Sequence, residues 1–241
     1  MNLILFERSE LSADGRVIVR GDRARHLLRV LQVELADTVR VGVIDAAPGV
    51  GTVTAIGSDS VTLACAFGEH PPRPRIDLLL ALPRPKVMRR LWAQVAALGV
   101  GRIILTNAGR VERNYFDTHV LAPECYRPLL IEGLQQARDT HIPLVTVHRQ
   151  FRRLIEDELA TLSDAAIRLV ADPGVTTTIR EAVAGRGDAR VLLAVGPEGG
   201  WNAFELELLE AHAFQRVSMG PRTLRSDTAC VALVAIVNHE S

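Results

Sequence analysis

Between Asn2 and Phe67 short apolar stretches alternate with polar positions and are punctuated by glycine: LILF, RVIVR, DTVRVGVID, GTVTAI and SVTLACAF. β-Branched residues dominate, and runs recurring at roughly ten-residue spacing predict a small barrel of about five or six strands. One helical turn, Arg23 to Leu31, interrupts it. The segment Glu69-His70-Pro71-Pro72-Arg73-Pro74-Arg75 follows. Its prolines lack the N–H groups a sheet ladder needs, so an extended connector is expected there. This sets a first domain at 1–70, a linker at 71–75 and a second domain at 76–241.

Past the linker the period changes. Unbroken apolar runs (IDLLLAL, RIILT, PLVTV, IRLVA, VLLAV, RVSM) alternate with helical patterns. Such runs suit parallel strands covered on both faces by helices, so an α/β domain with a mostly parallel sheet is predicted. Ligands in open sheets of this kind bind beyond the carboxyl ends of the strands.

Three strand ends there carry the candidate chemistry. Val191–Val195 runs into Gly196-Pro197-Glu198-Gly199-Gly200-Trp201, then into a helix that Asn202 can cap in a box with Glu205. The glycines allow backbone to approach a ligand closely. The loop lacks a GK[ST] ending and a GxGxxG, and Glu198 repels phosphate, so a nucleoside without phosphates fits better, against the plain reading of a connecting turn. Arg216–Met219 leads into Gly220-Pro221-Arg222-Thr223-Leu224-Arg225 and an apolar helix opened by Ser226 and Asp227. Cations at a helix start oppose its dipole, so Arg222 and Arg225 imply something anionic, or becoming anionic, before them, unless they are solvated or paired with Asp227 or Glu198. Leu169–Gly174, ahead of a helix near Thr176, is the third. The helix after Ser226 is apolar nearly all round and is expected to be buried in its own domain or against a second subunit.

Composition narrows the class. Hydrophobic residues are 48% and charged residues 23% of 241, which excludes a disordered or collagen-like chain. Three distant cysteines without a CxxC predict buried thiols, a reducing compartment and no metal site. No apolar run approaches the ~18 residues of a membrane span, and the N-terminus lacks a signal core, so a cytoplasmic protein without a membrane partner is expected. The 28 basic and 28 acidic residues cancel overall but not locally. Residues 73–110 hold eight basic side chains against Asp77, and residues 16–30 hold five arginines against Asp22. These clusters suit phosphate backbones, although scattered arginines also solvate ordinary surfaces.

GPEGGW at Gly196–Trp201 and MGPRTLRSDTA at Met219–Ala229, with Leu98-Gly99-Val100 and His26-Leu27-Leu28-Arg29-Val30-Leu31 upstream, resemble the motifs of the RsmE family. These are the 16S ribosomal RNA uridine-N3 methyltransferases of the knotted SPOUT superfamily. The resemblance spans nearly the whole chain. Asp227 stands where the family usually has Glu, Gln32 replaces an Arg, and Gln94–Val100 lacks the Lys and Glu of the family's KATELGV.

The resemblance implies a PUA-like N-terminal barrel, a C-terminal trefoil knot, S-adenosylmethionine as methyl donor, a homodimer, and 16S ribosomal RNA or the small subunit as partner. Its cofactor turns map onto Ala171, Asp172 and Pro173; Val195, Gly196, Pro197, Glu198, Gly199 and Gly200; and Met219, Gly220, Thr223 and Leu224. Transfer to uracil N3 needs the anionic base stabilised, which assigns a catalytic role to Arg225, with Asp227 orienting it or accepting the proton. RNA contacts are expected from Arg25, His26, Arg29, Lys86, Arg89, Arg90, Arg110 and Arg222. Polar groups of the helix at 123–138, such as Gln136 and Arg138, are further candidates. A knotted methyltransferase acting on another RNA atom, such as a ribose 2′-hydroxyl, or a non-catalytic ribosome-assembly factor, remains open at this stage.

Overall fold

The computed structural model describes residues 2–220 and 222–239. Two compact units divide the chain. One comprises the residues up to Arg73 together with Ile131–Ile142; the other comprises Pro74–Leu130 and the chain from Pro143 onward.

The first unit holds β1 Ile4–Phe6, β2 Arg16–Arg20, α1 Gly21–Arg25, β3 Thr38–Val43, β4 Pro48–Ile56 and β5 Ser60–Phe67. The strands make one curled sheet in the order β1-β3-β4-β5-β2, antiparallel except for the β1–β3 pair. The periodicity predicts a barrel. Among the described residues β1 and β2 instead remain edges, so the ladder does not close. On β2, Val17 and Val19 face inward while Arg16, Ile18 and Arg20 face solvent, the period-2 alternation of a sheet packed on one side. Val17 and Val19 join Phe6, Leu27, Val41 and Leu63 in the core. The predicted helical turn is α1 followed by a π turn, His26–Leu31, ended by Gln32 in the left-handed region at φ 51°.

Residues 131–142 belong with this unit because their backbone completes its turns. Asp45 N–H donates to the Thr140 carbonyl (2.8 Å), and the Asp45 carboxylate accepts from Ile142 N–H (3.0 Å). Position 42 is glycine for the same reason, since a Cβ there would lie 2.7 Å from Thr140 Cγ2.

In the second unit six parallel strands order as β11-β9-β10-β6-β7-β8. The chain runs through β6 Ile76–Ala81, α2 Pro85–Ala97, β7 Val100–Thr106, α3 Pro123–Ala137 (whose last turns fall in the first unit's segment) and β8 Leu144–His148. A helical stretch follows, α4 Phe151–Arg153, a π turn Leu154–Glu158 and α5 Leu159–Leu162. Then come β9 Ile167–Ala171, α6 Ile179–Val183, β10 Val191–Val195, α7 Ala203–Ala211, β11 Gln215–Val217 and α8 Ser226–His239. Every apolar run read from the sequence forms a strand here. β6 and β10 lie in the middle and are buried at every position, whereas the edge strand β8 is buried at none.

α2 shows how the pattern becomes packing. Pro85 opens it at a position where no N–H is needed, Met88, Leu91, Trp92, Val95 and Ala96 form the buried stripe, and Gly99 at φ 71° follows its end. Trp92 Nε1–H donates to the Val120 carbonyl (3.2 Å). In β6, the fully buried Asp77 carboxylate accepts from Ser163 Oγ (2.8 Å) and Arg190 (2.7 Å), so its charge is compensated. The cysteines are free; Cys230 is fully buried, which pushes its thiol up to about 12, and burial pushes Cys65 to about 11.

Candidate active site

β11, β9 and β10 are neighbours and parallel, so their carboxyl ends open on one side of the sheet. The loops beyond them enclose a cleft that opens to solvent, the kind of concave place where small molecules bind. Ala171, Asp172 and Pro173 line it from the β9 loop, and Val195, Gly196, Pro197, Glu198 and Gly200 from the β10 loop. Met219, Gly220, Thr223 and Leu224 line it after β11. Of the residues expected to hold a cofactor, only Gly199 is absent from the walls. Arg222, expected on RNA, lines the cleft.

Sequence reasoning missed Val217, Ser218, Ser226, Ala229 and Leu233, which also line it. Ser226, Ala229 and Leu233 fall three and four residues apart, one face of α8, so helical periodicity could have found them. That helix is not buried all round: Cys230, Leu233, Val234 and Val237 are buried, while Val231 and Ile236 are half-buried.

Local chemistry shapes each loop. Gly200 N–H donates to the Pro197 carbonyl (2.8 Å) and Gly200 takes φ 74°, where a side chain is strained. At Gly196 a Cβ would come within 3.0 Å of Trp201 Nε1. The predicted box at the start of α7 is present: Asn202 Oδ1 accepts from Glu205 N–H (2.9 Å), and Glu205 Oε2 accepts from Asn202 N–H (2.8 Å). The third helix, α6, starts beyond the expected Thr176 because Thr178 and Glu181 form another capping box.

The charged groups sort differently from expectation. Asp172 lines the cleft, yet its carboxylate accepts from Arg216 Nε–H (2.7 Å) and Gly174 N–H (2.9 Å) and so fastens the β9 turn. Glu198 is paired with Arg84 Nε (3.2 Å). Arg225 is exposed and lies outside the cleft walls. Asp227 does not orient it; the carboxylate pairs with Arg90 of α2 (2.9 Å) and accepts from Thr228 N–H. Arg222 therefore stands as the arginine lining the cleft, exposed and without an ion pair among the described residues.

The other candidates for RNA contact are mostly solvent-facing. Lys86, Arg89 and Arg90 form the outer face of α2, and Arg29 is exposed. Arg25 pairs with Asp22 (2.6 Å). His26 is half-buried, and burial pushes its pKa down. Arg110 departs most: its guanidinium donates to the Gly199 carbonyl. Gln136 and Arg138 are not in the cleft walls. Among the described residues no group of His, Cys, Asp and Glu could hold a metal, and no helix is long and apolar enough to cross a membrane.

Residues 70–238 match the family of the RNA methyltransferase domain. A relative in Treponema pallidum, ribosomal RNA small subunit methyltransferase E, is 32% identical over 248 residues that cover 98% of this chain and 90% of its own. The protein of the same name in Synechocystis is 26% identical over 93% of this chain and 73% of its own. The crystal structure of a ribosomal RNA small subunit methyltransferase E from Neisseria gonorrhoeae bound to S-adenosyl methionine superimposes with a TM-score of 0.77 at 18% identity, covering 99% of this chain and 97% of that one, a likeness of fold. With its strand-end motifs gathered on one cleft, the chain belongs to the RNA methyltransferase family, among the ribosomal RNA small subunit methyltransferases E.

Proposed function

We propose that this protein transfers a methyl group from S-adenosylmethionine to N3 of a uridine in 16S ribosomal RNA. The observation carrying this reading is the convergence of three consecutive strand-end loops on one cleft that Arg222 overlooks. The walls fit the cofactor. Leu224, Val217, Ala229 and Leu233 offer apolar surface for a purine, the backbone at Gly196, Gly200 and Gly220 is approachable, and the hydroxyl of Thr223 can fix a polar edge.

Bound there, S-adenosylmethionine supplies an electrophilic methyl. The protein's part is alignment and charge. Holding the base in line with the methyl replaces a bimolecular encounter by a positioned one. Neutral uracil N3–H is a poor nucleophile. Arg222 would favour the deprotonated form, the N3 proton passing to solvent water, by drawing the charge that spreads onto O2 and O4, the role expected of Arg225 from the motif. Asp227, tied to Arg90, would hold α2 against the start of α8 and keep the Arg222 loop in place.

The outer face of α2 and the curled first unit, read as a PUA-like module, would track the phosphate backbone. The insertion of β9 between β10 and β11 supports a knotted C-terminal passage, and half-buried Val231 and Ile236 on α8 suit a second copy of the chain. An enzyme acting on ribosomal RNA fits a cytoplasmic site.

Small subunits purified from a strain lacking this protein, incubated with it and tritiated S-adenosylmethionine, should gain label that nucleoside mass spectrometry identifies as N3-methyluridine. A methylated ribose would reassign the acceptor atom. Cofactor binding without transfer would make the protein an assembly factor.

A further inference from the structure

The loop after β7 and the glycine loop after β10 are fastened to each other at two points, although β6 lies between their strands. Gly109 N–H donates to Glu205 Oε1 (2.6 Å), and Glu205 is 3% exposed with its other oxygen occupied by Asn202 N–H. One residue on, the Arg110 guanidinium donates to the Gly199 carbonyl and reaches toward that of Gly200 (3.5 Å). The Arg110 stem also lies over Gly199, so that a Cβ there would sit 2.8 Å from Arg110 Cδ. Gly109 is fixed in turn, because a Cβ at that position would meet Asn202 Nδ2 at 2.8 Å. The result is a closed ring through Gly199, Asn202, Glu205, Gly109 and Arg110.

This arrangement explains two glycines that the cleft itself does not. Gly199 is the one residue of its loop outside the walls, and neither Gly109 nor Arg110 reaches them. A loop of small residues has high conformational entropy when free, and binding must otherwise order it. A cationic donor held on the Gly199 carbonyl, with its stem laid over Gly199, removes part of that freedom beforehand.

We infer that Arg110 is a positioning residue that holds the Gly196–Gly200 loop in its cofactor-binding shape, rather than a contact to RNA. The inference rests on the proposed S-adenosylmethionine site, and the tests separate the two. Calorimetry of the wild-type protein with S-adenosylmethionine comes first, since absence of binding defeats the site itself. With binding established, R110A should raise the dissociation constant and the cofactor KM about tenfold, the order expected for one charge-assisted hydrogen bond. Its kcat at saturating cofactor and its KM for small subunits should not change. R110K, which keeps a cationic donor without the planar fork, should recover part of the affinity.

G199A places a methyl against the Arg110 stem and should weaken cofactor binding similarly. Combined with R110A it should add little, because the obstructing side chain is gone. Strictly additive losses overturn the inference. So does an R110A protein with wild-type cofactor affinity and a raised KM for small subunits with a shallower salt dependence, the signature of a phosphate contact.

Discussion

Replacing Glu205 by alanine tests the junction on which the glycine loop stands. The buried carboxylate accepts two backbone N–H groups, Asn202 at 2.8 Å and Gly109 at 2.6 Å. Hydrogen bonds to a charged acceptor contribute about 1.5–3 kcal/mol each. Gly109 is exposed, so water regains part of its bond in the variant; the Asn202 group is part-buried and loses more. The expected loss for E205A is therefore about 2–4 kcal/mol. With ~2–4 °C per kcal/mol for a chain of this size, the midpoint should fall by on the order of 10 °C. E205Q keeps the shape and one acceptor oxygen but turns an NH₂ group toward the second donor, so about half the loss should remain. Urea unfolding followed by circular dichroism, with thermal melts alongside, measures both. If E205A stays within about 0.5 kcal/mol of wild type, or E205Q is as damaging as E205A, the carboxylate is not the joint described here.

Three further outcomes follow from the cleft and from the first unit. R222A should lower kcat for methyl transfer by about 10²–10³ while changing cofactor affinity much less, and R225A should leave kcat nearly unchanged; the reverse order in single-turnover rates would return the role to Arg225. G200V forces a β-branched residue to φ 74° in the wall of the cleft and should abolish cofactor binding by calorimetry while the protein remains folded; undiminished binding would remove this loop from the site. The third concerns His70, whose ring nitrogens meet the carbonyls of Asp45 (2.9 Å) and Pro71 (2.8 Å). Those carbonyls, Asp45 first, raise its pKa above the ordinary value. Its stabilising contribution is thus complete below that ordinary value and is lost as pH rises through the raised one. H70Q should flatten the stability profile as pH rises above the ordinary imidazole value of 6.5, and an unchanged profile would show that the contacts do not persist in solution.

Much of the site was legible because strand-to-helix turns write their needs locally. Asn202 with Glu205 announced a capped helix, and Gly200 sits where φ is positive. The pairing of charges was not legible. Arg225 and Asp227 are two residues apart, yet on the first turn of α8 the carboxylate meets Arg90, 137 positions away in the sequence. Arg110 looked like one more arginine of a basic cluster until its carbonyl partners, about ninety positions on, were in view.

What the sequence by itself determined is the sum of short-range rules: unbroken apolar runs for buried parallel strands, alternation for the half-exposed β2, glycine and capping residues at the turns, and the motifs that mark the family. What only the tertiary structure decided is which distant groups meet. It brought residues 131–142 beside Asp45, left the curled sheet open at β1 and β2, and put Arg222 rather than Arg225 on the cleft. The physical reason is that propensity and periodicity act over a few residues, whereas ion pairs and loop contacts depend on strand order and packing, which no single stretch of chain encodes.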